Sequence, residues 1–135
     1  MKTITRGLVL WTEDQQRLRA IIAYQPTDPY AVRLAFVEGG PNRETVVYRF
    51  ARDLLAEGLD QAAGECDVLV APHVVPGWQV ITLRPGPDAR MTVYTETGPV
   101  EEFVTDIYRL IPMGRERELV DVDQALATIL RGVAL

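Results

Sequence analysis

Apolar and polar residues alternate along the early part of the chain, and the period changes near its middle and again towards the C-terminal end. From Thr3 to Trp11 and from Gln16 to Tyr24, β-branched and aliphatic residues recur without a sustained helical period, which predicts two strands. In the second, Leu18, Ala20, Ile22 and Tyr24 share one face and Arg17, Arg19, Ile21 and Ala23 the other, with the Arg-bearing end turned to water. The first is apolar on both sides, with Leu8 and Leu10 on one and Val9 and Trp11 on the other. Burial within the molecule and contact with another copy account for that equally well.

Pro26 and Pro29 fix φ and push their preceding residues out of the helical region, so Gln25 to Pro29 breaks the chain before the next strand. Tyr30 to Glu38 then extends, with Val32, Leu34 and Phe36 alternating against Arg33, Ala35 and Val37. Gly39, Gly40, Pro41 and Asn42 supply a turn into Glu44 to Phe50, and the two strands read as a hairpin. The opening third is therefore an antiparallel meander.

From Ala51 the apolar residues Ala51, Leu54, Leu55 and Leu59 take helical spacing, and Gly58 weakens the last turn of that short helix. Three further strands are predicted at Asp67 to Ala71, Trp78 to Leu83 and Arg90 to Thr95. A helix follows in which Val100, Phe103, Val104, Ile107, Tyr108 and Ile111 form one stripe, with Pro99 in its first turn and Pro112 ending it. A last helix places Val122, Ala125, Leu126, Ile129 and Val133 on one face, with Asp121 and Gln124 as a capping-box-like start. Arg131 lies near its negative end, where a cation is favoured by about 0.3 to 1 kcal/mol. The order β-β-β-β-α-β-β-β-α-α implies an α+β fold of antiparallel β-sheets covered by helices.

With 135 residues and 47% hydrophobic content, one domain spanning 1–135 with one continuous core is expected. Lys2 and Arg6 precede an apolar run that Glu13 and Asp14 interrupt well short of a signal-peptide core. No segment approaches a membrane span, and a single cysteine, Cys66, forms no intramolecular disulfide, so the cytoplasm is the expected compartment. The formal charge of −5 disfavours both anionic lipid and a phosphate backbone. Thirteen of the fourteen basic residues are arginine, a bias that fits a GC-rich coding genome better than any ligand.

The residues for common catalytic chemistry are scarce. With one histidine and no serine, a Ser-His-Asp mechanism is excluded. A Cys66–His73 pair is outweighed by the reading of His73 as an ordinary loop histidine between Pro72 and Pro76. Two His or Cys residues in total cannot complete a zinc site without carboxylates, and the glycines match no nucleotide-binding fingerprint. No catalytic, cofactor or metal-binding residue is assigned, and an enzyme working with carboxylates alone ranks last. Glu101 and Glu102 suit a first helical turn. Asp53 and Glu57, four apart on the short helix, form a like-charge pair costing about 0.2 to 0.5 kcal/mol. That small penalty marks Arg52, Asp53, Glu57 and Asp60 as a candidate partner-binding surface, while Leu54 and Leu55 belong to the core.

The stretch from Asp28 to Leu59, DPYAVRLAFVEGGPNRETVVYRFARDLLAEGL, resembles the SsgA-like regulators of sporulation-specific cell division in actinomycetes, the SsgB branch above all. CDVLVAP from Cys66 to Pro72 and IPMGRERELVDVDQALATIL from Ile111 to Leu130 are similar to later segments of that family, in the same order. Cys66, Ala71 and Tyr48 depart from its pattern and leave the paralogue open. The resemblance implies a fold like that of the Whirly single-stranded-DNA-binding proteins and assembly as a homotrimer. It also implies a noncatalytic adaptor that recruits the tubulin-like GTPase FtsZ to future septa, acting with an SsgA-like paralogue and membrane-associated division proteins. The alternative, from the implied fold, is single-stranded nucleic-acid binding, with Tyr24, Tyr30, Tyr48, Trp78 and Tyr94 as stacking candidates.

Overall fold

Leu8 and Leu10 are buried while Val9 and Trp11 between and beyond them stay exposed, the two-residue period of a sheet with one covered face. The computed structural model describes residues 2–37, 44–65 and 67–119. In chain order they form β1 (Ile4–Thr12), β2 (Arg17–Tyr24), β3 (Ala31–Val37), β4 (Glu44–Ala51), α1 (Arg52–Glu57), β5 (Ala63–Glu65), β6 (Val68–Pro72), β7 (Trp78–Gly86), β8 (Ala89–Glu96) and α2 (Thr97–Leu110). The strands make one antiparallel sheet in the order β4-β3-β2-β1-β8-β7-β6-β5.

That sheet is two meanders joined at a short seam. β1 and β2 stay in register from Ile4↔Tyr24 to Trp11↔Arg17, whereas β1 and β8 pair only at Trp11↔Tyr94 and Thr12↔Val93. The buried Thr95 hydroxyl strengthens the seam by donating to Val9 O at 2.9 Å. Both meanders contribute to a single core. Leu10, Ile22 and Leu34 from the first half and Val70, Ile81 and Val93 from the second pack with Leu55 of α1 and with Val100, Phe103 and Ile107 of α2. The sheet therefore curls around its helices.

Most expected elements are present within a residue or two, including the β3–β4 hairpin strands and the helix that Pro112 follows. The expected turn at Gly39 to Asn42 and the last helix from Asp121 lie outside the described residues, as does Cys66; residues 116–119 are helical. β5 is the strand that periodicity did not predict, because three residues with Gly64 at their centre carry no period. It forms by pairing Ala63 with Val70. On β1, Leu8 and Leu10 are buried, whereas Val9 and Trp11 on its other face keep 39% and 36% of their surface exposed among the described residues.

Gly58 ends α1 with an ordinary helical φ of −64°, so its role is not conformational freedom. A Cβ there would stand 2.5 Å from Val70 Cγ1, and the missing side chain lets α1 close onto β6. Gln79, buried on β7, locks that approach. Its Nε2 donates to Gly58 O at 2.7 Å and Ala71 O at 3.2 Å, and its Oε1 accepts from the Thr97 hydroxyl at 3.1 Å.

Candidate partner-docking surface

The chain passes from β4 into α1 at Ala51, which has extended backbone and offers no capping side chain. The first helical N–H, that of Arg52, is satisfied instead by Tyr30 O at 2.9 Å. This entry turns Arg52 inward, to 1% exposure. Its Nη1 donates to Ile111 O at 2.8 Å and its Nη2 to Glu116 Oε1 at 2.5 Å. The guanidinium lies 4.0 Å from the Tyr108 ring centroid and 5.5 Å from that of Tyr24. Arg52 thus caps the negative end of α2 and pairs with a buried carboxylate. It does not belong to the docking surface expected from sequence, because its charge is consumed inside the molecule.

Burial alone would push the Glu116 carboxyl up. The hydrogen bond from Arg52, those from the backbone N–H groups of Glu116 and Gly114, and the Arg52 charge outweigh it and hold the group below the usual carboxylate range. Burial raises the Tyr108 hydroxyl well above its ordinary value, and the Asp53 carboxylate to which it donates raises it further, against the opposing Arg52 charge. Tyr24, donating to Pro29 O at 2.9 Å, is raised chiefly by burial.

The other three expected residues do face outward. Asp53, Glu57 and Asp60 are exposed along α1 and the turn after it, while Leu54 and Leu55 anchor the helix in the core. Asp53 is oriented by the Tyr108 hydroxyl and Glu57 by Gln61 Nε2 at 3.0 Å. None of the three is seen in an ion pair among the described residues. The result is an acidic ridge on a rigid base, open to solvent. Sequence reasoning missed Tyr108 and Glu116, which hold its underside from far along the chain.

The aromatic residues do not form one stacking platform. Tyr24 and Tyr48 are core residues, Tyr30 is exposed, and Trp78 and Tyr94 are half-buried beside Trp11 and His73. Among the described residues, no cluster of three or more His, Cys, Asp or Glu is placed to hold a metal ion, and no helix is long and apolar enough to cross a membrane.

The described residues thus form a curled antiparallel sheet over two helices, with Asp53, Glu57 and Asp60 exposed along α1 and the turn after it. Residues 18–116 match the family described as Streptomyces sporulation and cell division protein, SsgA. The sporulation-specific cell division protein SsgB of Salinispora tropica is 36% identical over 116 residues, covering 85% of this chain and 81% of that one. SsgB of Streptomyces coelicolor is 36% identical over 124 residues, covering 91% and 89%. Among solved structures, the SsgA-like sporulation-specific cell division protein of Thermobifida fusca superposes with a TM-score of 0.82 at 31% identity, over 94% of this chain and 95% of that one. A second, of SsgB from Streptomyces coelicolor, whose mutations correlate to longitudinal cell division during sporulation, gives 0.76 at 33% identity, over 87% and 95%. The chain belongs to the SsgA family of sporulation and cell-division proteins, a family of regulators and not a known enzyme family.

Proposed function

We propose that this chain is a noncatalytic adaptor of sporulation-type cell division that helps position septa by recruiting FtsZ. The observation that carries the reading is the likeness of nearly the whole fold to SsgA-like division proteins. The acidic ridge of Asp53, Glu57 and Asp60 adds support, since three exposed carboxylates on a short, well-anchored helix suit recognition by contact. The protein works as a trimer, together with an SsgA-like paralogue and membrane-associated division proteins, and concentrates at septa. Exposed Val46 and Val47 on the edge strand β4 are consistent with self-association. The formal charge of −5 and the burial of Tyr24 and Tyr48 leave nucleic-acid binding without support.

Co-sedimentation with FtsZ assembled in the presence of GTP tests the reading. The purified chain is expected in the pellet with polymer and in the supernatant without it. Glu57→Lys combined with Asp60→Lys, both at exposed positions, is expected to reduce pelleting while leaving the circular dichroism unchanged. Equal supernatant levels with and without polymer would remove FtsZ as the direct partner.

A further inference from the structure

The seam between the two meanders carries a second concave surface. Direct pairing of β1 with β8 is confined to Trp11↔Tyr94 and Thr12↔Val93, and beside it lies a cleft of about 540 Å³. Leu10 and Val93 point into the core, so Trp11 and Tyr94, their chain neighbours, emerge on the opposite face. Tyr94 in turn faces Val80, which puts Trp78, two positions earlier, on that same face. The His73 N–H donates to Trp78 O at 2.9 Å, closing the β6–β7 turn and bringing the His73 ring edge-on to Tyr94 at 5.2 Å. Residues from four separate segments thus line one hollow, with Val75 beside them at 49% and Trp11 at 36% exposure.

Among the described residues, Glu13 is the one carboxylate in the lining, and no Lys or Arg joins it. Of the nearby basic residues, Arg17 pairs with Trp11 across β1 and β2 and lines the adjoining hollow on the far side of that ring, and Arg90 lines a third hollow. Tryptophan and tyrosine ring faces are electron-rich and attract a guanidinium or ammonium group, and a carboxylate beside them adds a formal countercharge. An acidic group would meet Glu13 with like charge. The turn bearing Glu13 is held stiffly. Thr12 N–H donates to Gln16 O at 2.9 Å, Gln16 N–H to the Thr12 hydroxyl at 2.9 Å, and Gln15, also in the lining, adopts a left-handed φ of 64°. Such strain persists where surrounding contacts over-determine it, and it gathers at ligand clamps.

We propose that this cleft binds a positively charged side chain, arginine above all, presented by a partner protein. The planar guanidinium stacks on aromatic faces and pairs with a carboxylate in one geometry, which an ammonium group does less well. The inference rests on the adaptor reading and gives a second docking point, remote in sequence from the α1 ridge.

Both tryptophans of the chain, Trp11 and Trp78, line the cleft, so intrinsic emission reports its occupancy without a label. The full chain is titrated with capped Gly-Arg-Gly, Gly-Leu-Gly and Gly-Glu-Gly peptides at low and high salt. The arginine peptide is expected to give a saturable change, with binding about tenfold tighter than either other peptide and weakened by salt. Glu13→Gln, at an exposed turn position, is expected to weaken it by about three- to tenfold with unchanged circular dichroism. Equal binding of the leucine peptide, tighter binding of the glutamate peptide, or no effect of Glu13→Gln overturns the proposal. So does emission that changes only with protein concentration alongside an oligomer in sedimentation, since a second copy then fills the cleft. Loss of arginine binding with FtsZ co-sedimentation intact removes the cleft reading alone. Arginine binding without FtsZ co-sedimentation removes FtsZ alone.

Discussion

Arg52 Nη2 and Glu116 Oε1 meet at 2.5 Å with both side chains nearly excluded from solvent, linking the start of α1 to the chain beyond α2. Arg52 also donates to Ile111 O, so one side chain satisfies the end of α2 and a buried carboxylate together. Removing either partner leaves the other charge buried and unpaired. Arg52→Ala and Glu116→Ala are each expected to cost about 3 to 5 kcal/mol in urea unfolding, and the double variant little more than the worse single one. Simple additivity of the two costs would show that the pair does not act as a unit.

The same pair sets the acid limb of stability. Glu116 is held below its unfolded value, so its contribution is present above that value, about 4.3, and is lost as pH falls through the lower folded value. Glu116→Gln is expected to be less stable at neutral pH and to show a flatter acid limb. At the other end, Tyr24 and Tyr108 are raised, so their contribution is whole below about 10 and disappears as pH climbs above it. Tyrosinate absorbance should therefore develop together with unfolding for these two, and Tyr108→Phe should shift the alkaline transition upward.

Gly58→Ala is expected to destabilise the protein by about 1 to 3 kcal/mol, although alanine is the better helix residue by about 1 kcal/mol. The added methyl would stand 2.5 Å and 2.6 Å from Val70 side-chain atoms and 3.0 Å from Val70 O. Combining it with Val70→Ala should recover part of the loss relative to the sum of the single changes. Thermal denaturation of the three variants decides this, and a neutral or stabilising Gly58→Ala would mean that α1 moves freely off β6.

Gln15→Gly is expected to stabilise the chain by about 0.5 to 1 kcal/mol. The left-handed φ of 64° costs a side-chain-bearing residue about 1 to 2 kcal/mol, against about 0.5 to 1 kcal/mol of extra chain entropy lost by glycine. Denaturant midpoints of the two proteins give the answer. A destabilised variant would mean that the Gln15 side chain contributes more than its backbone strain takes away.

The strands from Ile4 to Ala51, the register of their faces and the α2 stripe were all legible along the chain, since each depends on neighbours a few residues away. The exposed carboxylates Asp53, Glu57 and Asp60 were legible for the same reason. Arg52 was not. It stands three residues before Leu55, at the edge of the apolar stripe, and spacing does not name the groups that receive it, the Ile111 carbonyl and the Glu116 carboxylate, far along the chain.

Side-chain period and turn chemistry are short-range, so residue order alone was enough for seven of the strands, for α1 and α2, and for the family likeness. The burial of Arg52, the extra strand β5 and the meeting of Trp11 with His73, Trp78 and Tyr94 came only with the folded chain. Each depends on which distant segment supplies a hydrogen-bond partner, a free strand edge or a facing ring, and the closing of two meanders onto one core decides that.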